Sequence, residues 1–265
     1  MLGAIIGDLA GSIYEFGQVK EVNKIEVNNL IEDNAFISDD TILTMAIADA
    51  IINKKDYGKN LKEYAKKYNE IPKDIPYFKT MFSPGFMKWV EGDYQGESAG
   101  NGAMMRISPV GFLFNSEEEV IKNAELATVP SHNNEDAIDC AKKISLITFY
   151  SRNGLSKQEI IDRLNLEIRE PNIEKFNYTC RDTIDVCLYS LFNSNSFEES
   201  IKLAISFGGD TDTNACIVGG MAEAMYGIDE ELKEKAISKL PEEFIEILDS
   251  AYELVVRNSE QDFEF

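Results

Sequence analysis

The chain has 265 residues, 44% of them hydrophobic, which suffices for a sizeable core and suits one domain over residues 1–265. With 26 basic against 47 acidic residues the net charge is -21, which repels phosphate backbones and excludes free nucleic acid as a partner unless a metal or a local pocket reverses the field. No apolar run reaches the length of about 18 residues that a membrane span needs, and "MLGAIIGDLAG" lacks the pattern of a secretory signal, so the chain reads as soluble, unprocessed and cytoplasmic.

The N-terminal stretch "GAIIGDLAGSIYEF" reads as a buried helix carrying two acids, Asp8 and Glu15. Seven residues apart, they fall two helical turns from each other on roughly one face and both point at one cavity. "KIEVNN" at 24–29 alternates apolar and polar residues, the strand period, and is expected to form a small β element or an extended loop. In "SDDTILTMAIADAIINKK", Ser38, Asp39 and Asp40 precede residues that are apolar on nearly every face, as in a central buried helix. "IPKDIPYFKTMFSPGF" at 71–86 has the length and the Pro/Gly content of an elaborated surface loop.

Further on, "SAGNGAMMRISPVGFL" at 98–113 places Gly100-Asn101-Gly102 before a helix start, where positive φ lets a ligand approach the backbone. Helix starts follow at Asn115 or Ser116, at the single histidine His132 with Ser131, Asn133 or Asn134 as cap, and at Ser156, which forms a capping box with Glu159. "LNLEIRE" at 164–170 again has the strand period, but three more amphipathic stretches, "NSFEESIKLAISF", "DEELKEKAISKL" and "PEEFIEILDSAYELVV", are helical. The fold class is all-α with at most minor β or extended loop elements. The four cysteines, Cys140, Cys180, Cys187 and Cys216, form no C-x-x-C pair and read as reduced, buried thiols.

"SFGGDTDTNACIVGG" at 206–220 repeats the arrangement at Ser38: Asp210 and Asp212, with Thr213, stand at the mouth of a closely packed apolar helix that Gly227 ends. One such carboxylate is ordinary capping, favoured by about 0.3–1 kcal/mol. Four of them entering two buried helices repel one another if the helix starts meet, and a cation resolves the conflict. Carboxylates with Ser and Thr hydroxyls form an oxygen-only donor set for Mg²⁺ or Mn²⁺, whereas zinc prefers His and Cys. Two clusters suggest a binuclear centre; a pair of separately capped helices accounts for the same spacing.

Taken in order across residues 3–213, "GAIIGDLAGSIYE", "SDDT", "GNGAMMR", "SHNN" and "GGDTDT" resemble the ADP-ribosylglycohydrolase family. The resemblance implies a single compact orthogonal helical bundle holding two Mg²⁺ or Mn²⁺, at which the bond from C1'' of the distal ribose to an acceptor is hydrolysed. It assigns the metal ligands to Ser38, Asp39, Asp40, Asp210, Asp212 and Thr213, the mobile acid to Glu15, and catalytic roles to Glu15, Asp39 and Asp40. It assigns substrate binding to Ser98, Gly100, Asn101, Gly102, His132, Gly208 and Gly209, with Met104 and Arg106 in the motif as structural members. Many members have Thr-Asp-Asp in the first cluster; here serine keeps the oxygen and loses the methyl group that limits its rotamers. For the ring that stacks on adenine, Tyr94 and Tyr226 are the candidates. The implied substrate is ADP-ribosyl-arginine on protein, with ADP-ribosyl-serine and O-acetyl-ADP-ribose as alternatives, acted on by a monomer without membrane or nucleic-acid partners.

Two rivals carry different chemistry. Terpenoid synthases also hold Mg²⁺ on Asp-rich helices, but their first motif needs another acid three residues past the pair, and Asp40 is followed by Thr41, Ile42 and Leu43. A non-catalytic ADP-ribose-binding member is opposed by the presence of all four motif carboxylates and Glu15.

Overall fold

The computed structural model describes residues 1–15, 25–70, 80–173 and 175–261. Three helices are buried along nearly their whole length: α1 (Leu2–Ser12), α2 (Asp39–Ile52) and α12 (Thr211–Tyr226). Their apolar residues cover all faces, so each packs on neighbours all round rather than along one stripe. Each fully buried Ile or Leu, such as Ile5, Leu9 and Ile47, contributes about 1.5–3 kcal/mol of transfer free energy.

Around this centre the order along the chain is α3 (Tyr57–Lys67), α4 (Pro84–Glu91), α5 (Gly102–Met105), α6 (Ser108–Leu113), α7 (Glu117–Thr128) and α8 (Glu135–Arg152). Then come α9 (Lys157–Leu164), α10 (Cys180–Phe192) and α11 (Phe197–Ser206) before α12, and α13 (Glu230–Ile237) and α14 (Glu242–Gln261) after it. One continuous hydrophobic cluster joins Met1 in front of α1 to Ala251 in α14.

The local signals read from the sequence form as capped starts. Ser116 accepts the Glu119 N–H, Asn134 those of Asp136 and Ala137, and Ser196 that of Glu199, while Ser156 and Glu159 complete a reciprocal capping box. Gly227 ends α12 with φ 74°. All four cysteines are buried and free. Among the described residues no helix is long and apolar enough to cross a membrane.

One open expectation resolves and two change. No strand forms among the described residues; only isolated antiparallel bridges join Glu97 to His132 and Gly100 to Thr179. In 25–29, Ile25 and Val27 turn inward while Glu26 and Asn28 face solvent, and in 166–169 Leu166 and Ile168 are half-buried between exposed neighbours. The alternation is thus real, but among the described residues no extended neighbour lies alongside to supply ladder hydrogen bonds. Part of the expected surface loop, 71–79, lies outside the described residues; of the rest, Met81 and Phe82 are buried and Pro84 starts α4, with Ser83 accepting the Phe86 N–H. Finally, α1 stops at Ser12, so Glu15 does not share a continuous helical face with Asp8.

Candidate active site

Gly3, Gly7 and Gly11 stand one turn apart on α1, and α12 packs on the face they make. A Cβ at Gly7 would lie 2.0 Å from the Ala215 carbonyl oxygen, and one at Gly3 would lie 2.3 Å from that of Gly219. Backbone against backbone has nothing to yield, so only glycine allows this approach. The contact sets Asp8, next to Gly7, beside Asp212 in the first turn of α12.

Asp8 then organises α2 from outside it. Its Oδ2 accepts the N–H groups of Ser38 at 2.9 Å and Thr41 at 3.1 Å and the Thr41 hydroxyl at 2.5 Å, while the Ser38 hydroxyl lies 2.8 Å from its Oδ1. A carboxylate from α1 thereby satisfies orphan donors at the start of α2. Ser38 is also the helix's own cap, its Oγ accepting the Asp40 N–H at 3.2 Å. Asp210, by contrast, occupies the cap position of α12 without making a side-chain cap bond. Its Oδ2 accepts the Asn101 amide at 2.7 Å, and its own N–H donates to Asn177 Oδ1 at 2.9 Å. Capping therefore does not account for this acid.

The two clusters meet. Carboxylate oxygens of Asp8, Asp40 and Asp212 lie within 4.8 Å of one another, and so do those of Glu15, Asp210 and Asp212, which makes Asp212 common to both groups. The Thr213 hydroxyl, 3.3 Å from Asp40 Oδ2, ties α12 to α2. Among the described residues, Asp40 Oδ1 and Glu15 Oε2 are buried without a hydrogen-bond partner. Burial and then the charge of Asp212 push Asp8 up to about 7, Asp39 up to about 8 and Asp40 well above the carboxylate range. Glu15 rises to about 11 from burial and from Asp212, Asp210 and Asp39, and Asp212 rises well above its ordinary value from burial and Asp210. The protein alone thus favours protons on these acids. A divalent cation is the other way to neutralise them, and the oxygen-only set with unpartnered buried oxygens fits a hard ion.

Glu15, Asp39, Asp40, Asp210 and Asp212 line a cavity of about 700 Å³, which Asp8 does not reach. Its side is built by residues 96–101, pinned between two segments: Gly96 N–H donates to the Pro130 carbonyl at 2.9 Å and Ser98 N–H to that of Ser131 at 3.3 Å, while Asn101 N–H donates to the Tyr178 carbonyl at 2.9 Å and Cys180 N–H to that of Ala99 at 2.9 Å. Ser98 Oγ accepts the Gly100 N–H at 3.0 Å, which tightens the turn. Arg106, fully buried, donates from Nη2 to Ser131 Oγ at 2.7 Å, and Ser131 Oγ lies 2.7 Å from His132 Nδ1. Rings also line it: Phe82, Phe86, Trp89, Tyr94, Phe176 and Tyr178.

Of the residues singled out from the sequence, Glu15, Asp39, Asp40, Ser98, Gly100, Asn101, Gly102, His132, Asp210, Asp212 and Thr213 line this cavity. Ser38 lies behind Asp40, fully buried against Asp8. Gly208 and Gly209, at φ 72° and 75°, form the turn into α12 and are not among the lining residues. Asp39 lines the cavity without joining either close group of acids. Tyr94 lies on the cavity wall; Tyr226 does not, its hydroxyl donating instead to the Leu191 and Ser194 carbonyls at 3.3 and 2.7 Å. Sequence reasoning missed the part of Asp8 at the start of α2, the hold of Asn177 on Asp210, and Phe176 and Tyr178. The four-residue glycine spacing on α1 was the available signal for Asp8; Asn177 had none.

Comparison with known proteins matches almost the whole chain. A family model described as ADP-ribosylglycohydrolase matches residues 1–262. ADP-ribosylarginine hydrolase Tri1 of Pseudomonas putida (strain GB-1) is 25% identical over 278 residues, covering 93% of this chain and 72% of the relative. ADP-ribosylhydrolase ARH3 of Danio rerio is 21% identical over 309 residues, covering 86% and 82%. A solved structure titled ADP-ribosylglycohydrolase-related protein complex superimposes with a TM-score of 0.71 at 19% identity, covering 96% of this chain and 97% of that one, so the fold is shared.

Proposed function

Because the chain belongs to the ADP-ribosylglycohydrolase family, we propose that it removes ADP-ribose from modified protein arginine by hydrolysing the C1'' glycosidic bond, acting as a single-domain monomer over residues 1–265. The observation that carries this reading is the convergence of acids from α1, α2, α12 and the segment after α1 beside a cavity whose side is a Gly-Asn-Gly turn. The name of the Pseudomonas relative favours arginine as the acceptor.

In this reading Ser38, Asp39, Asp40, Asp210, Asp212 and Thr213 hold two Mg²⁺ or Mn²⁺. Such ions, when bound, supply charge neutralisation and a water of lowered pKa. The residues of the chain do the rest. Asn101 holds the Asp210 carboxylate through its amide and so couples the ligand-facing turn to the acids. Glu15, with one oxygen unpartnered, carries a proton to or from the reacting groups, with Asp39 and Asp40 beside it. Ser98, Gly100, Asn101, Gly102 and His132 bind the diphosphate and distal ribose, Gly208 and Gly209 give the backbone room at the turn into α12, and Tyr94 with its neighbouring rings takes the adenine.

Release of ADP-ribose from peptides carrying it on arginine or on serine, and from O-acetyl-ADP-ribose, tests the assignment. The arginine adduct is turned over fastest and Asp210→Asn loses metal-dependent release while keeping its helical circular dichroism. Full activity in that variant, or preference for another adduct, overturns the corresponding part of the proposal.

A further inference from the structure

The buried relay behind the cavity wall uses donors and acceptors in a way that leaves one consistent assignment. A guanidinium carries only donors, so at 2.7 Å from Arg106 Nη2 the Ser131 oxygen accepts. The hydroxyl has a single proton, and its other neighbour is His132 Nδ1 at 2.7 Å. If Nδ1 carried the ring proton, Ser131 would accept twice and its own proton would have no acceptor in a site where the residue is 3% exposed. That arrangement costs about 1–3 kcal/mol. The hydroxyl therefore donates to Nδ1, and the ring proton sits on Nε2.

We propose that Arg106 and Ser131 are positioning residues that fix His132 as the Nε2–H tautomer, a directed donor aimed at the Gly100–Gly102 turn for an anionic oxygen of the ligand. Nε2 faces that turn: a Cβ would lie 3.4 Å from it at Gly102 and 3.6 Å from it at Gly100. The backbone that carries the ring is pinned, since the His132 N–H donates to the Thr128 carbonyl at 2.9 Å and the Glu97 bridge holds it from the other side, and the Ser131 hydroxyl at Nδ1 orients the ring itself. Arg106 is held in turn by the Ala127 carbonyl at 3.4 Å, and among the described residues its Nε and Nη1 have no hydrogen-bond partner and Ser131 is the one side chain that hydrogen-bonds the cation. Burial and the neighbouring guanidinium both oppose a second proton on the imidazole. A neutral donor of fixed direction selects by geometry, and it discriminates a placed phosphate oxygen from a diffuse anion. The identity of the ligand rests on the ADP-ribosyl reading above; the tautomer does not.

His132 is the only histidine in the chain, so long-range proton–nitrogen correlation on protein labelled with ¹⁵N-histidine reads a single ring. Between pH 6 and 8 the wild type is expected to show an unprotonated Nδ1 and a protonated Nε2. Ser131→Ala is expected to lose that fixed pattern and to bind ADP-ribose about tenfold more weakly, the worth of one directed hydrogen bond. Ser131→Thr, which keeps the hydroxyl, restores both, and neither variant changes Mn²⁺ affinity. A wild-type ring protonated on Nδ1 or on both nitrogens, or an unchanged tautomer in Ser131→Ala, overturns the proposal. The expected tautomer in a protein that fails to bind ADP-ribose supports the relay and counts against the substrate reading alone.

Discussion

Replacing Gly209 with alanine isolates the device that aims Asp210. Gly209 sits at φ 75°, and a Cβ there would lie 2.1 Å from Asn177 Oδ1, the acceptor of the Asp210 N–H. Left-handed alanine costs about 1 kcal/mol. Asn177 is a side chain and can move, but it is held by amide bonds to Thr183 Oγ1 at 3.1 Å and Asn214 Oδ1 at 2.8 Å, and moving it strands the buried Asp210 N–H. A stranded donor costs about 1–3 kcal/mol, so Gly209→Ala loses about 2–4 kcal/mol in total and roughly 4–16 °C in Tm for a chain of this size. Thermal unfolding in EDTA measures this directly, and a double-mutant cycle with Asn177→Ala tests the cause. With the amide gone, the glycine substitution should cost only its backbone share of about 1 kcal/mol. Equal cost in both backgrounds, or a single-variant loss under about 0.5 kcal/mol, refutes the argument that Asn177 carries the strain.

Two other outcomes follow from the packing and charge of the site. Gly7→Ala forces α1 off α12 at the Ala215 carbonyl; it is expected to lose about 1–3 kcal/mol as an overpacked contact and to weaken Mn²⁺ binding by parting Asp8 from Asp212, both read by unfolding and by metal titration. The metal-free protein should be most stable in acid. Asp8 and Asp39, ordinarily at 3.8, titrate at about 7 and about 8 in the folded chain, so the folded state binds more protons than the unfolded state between these limits. Their stabilisation is complete below pH 4 and is lost as pH rises through 7 and 8; urea unfolding in EDTA should show that decline, and millimolar Mn²⁺ should flatten it.

What could be read from the sequence was what is local. Ser116, Ser156 and Ser196 cap helices because the cap and its target N–H lie within one turn, and Gly227 ends α12 for an equally local reason. The strand period at 24–29 and 164–170 left a small β element and an extended loop both open, because alternation reports one-sided burial, whereas a strand also needs a partner. The acids at Ser38–Asp40 and Asp210–Thr213 were legible as unusual charge in front of apolar helices, but their meeting depends on α1 lying between them. Asp8, thirty residues from the start of α2 that it satisfies, reads from the sequence as one acid in a buried helix. Asn177 and Ser131 act through side-chain hydrogen bonds to residues brought close by the fold, and nothing in their neighbours announces these partners.

The central claim is that these acids form one metal centre. Crystals grown with Mn²⁺ and measured for anomalous scattering test it most directly: two peaks are expected between Asp40, Asp210 and Asp212, within reach of Glu15, and both should vanish in Asp212→Asn. Crystals of the folded protein with no anomalous density at those carboxylates, at a Mn²⁺ concentration that supports turnover, would contradict it.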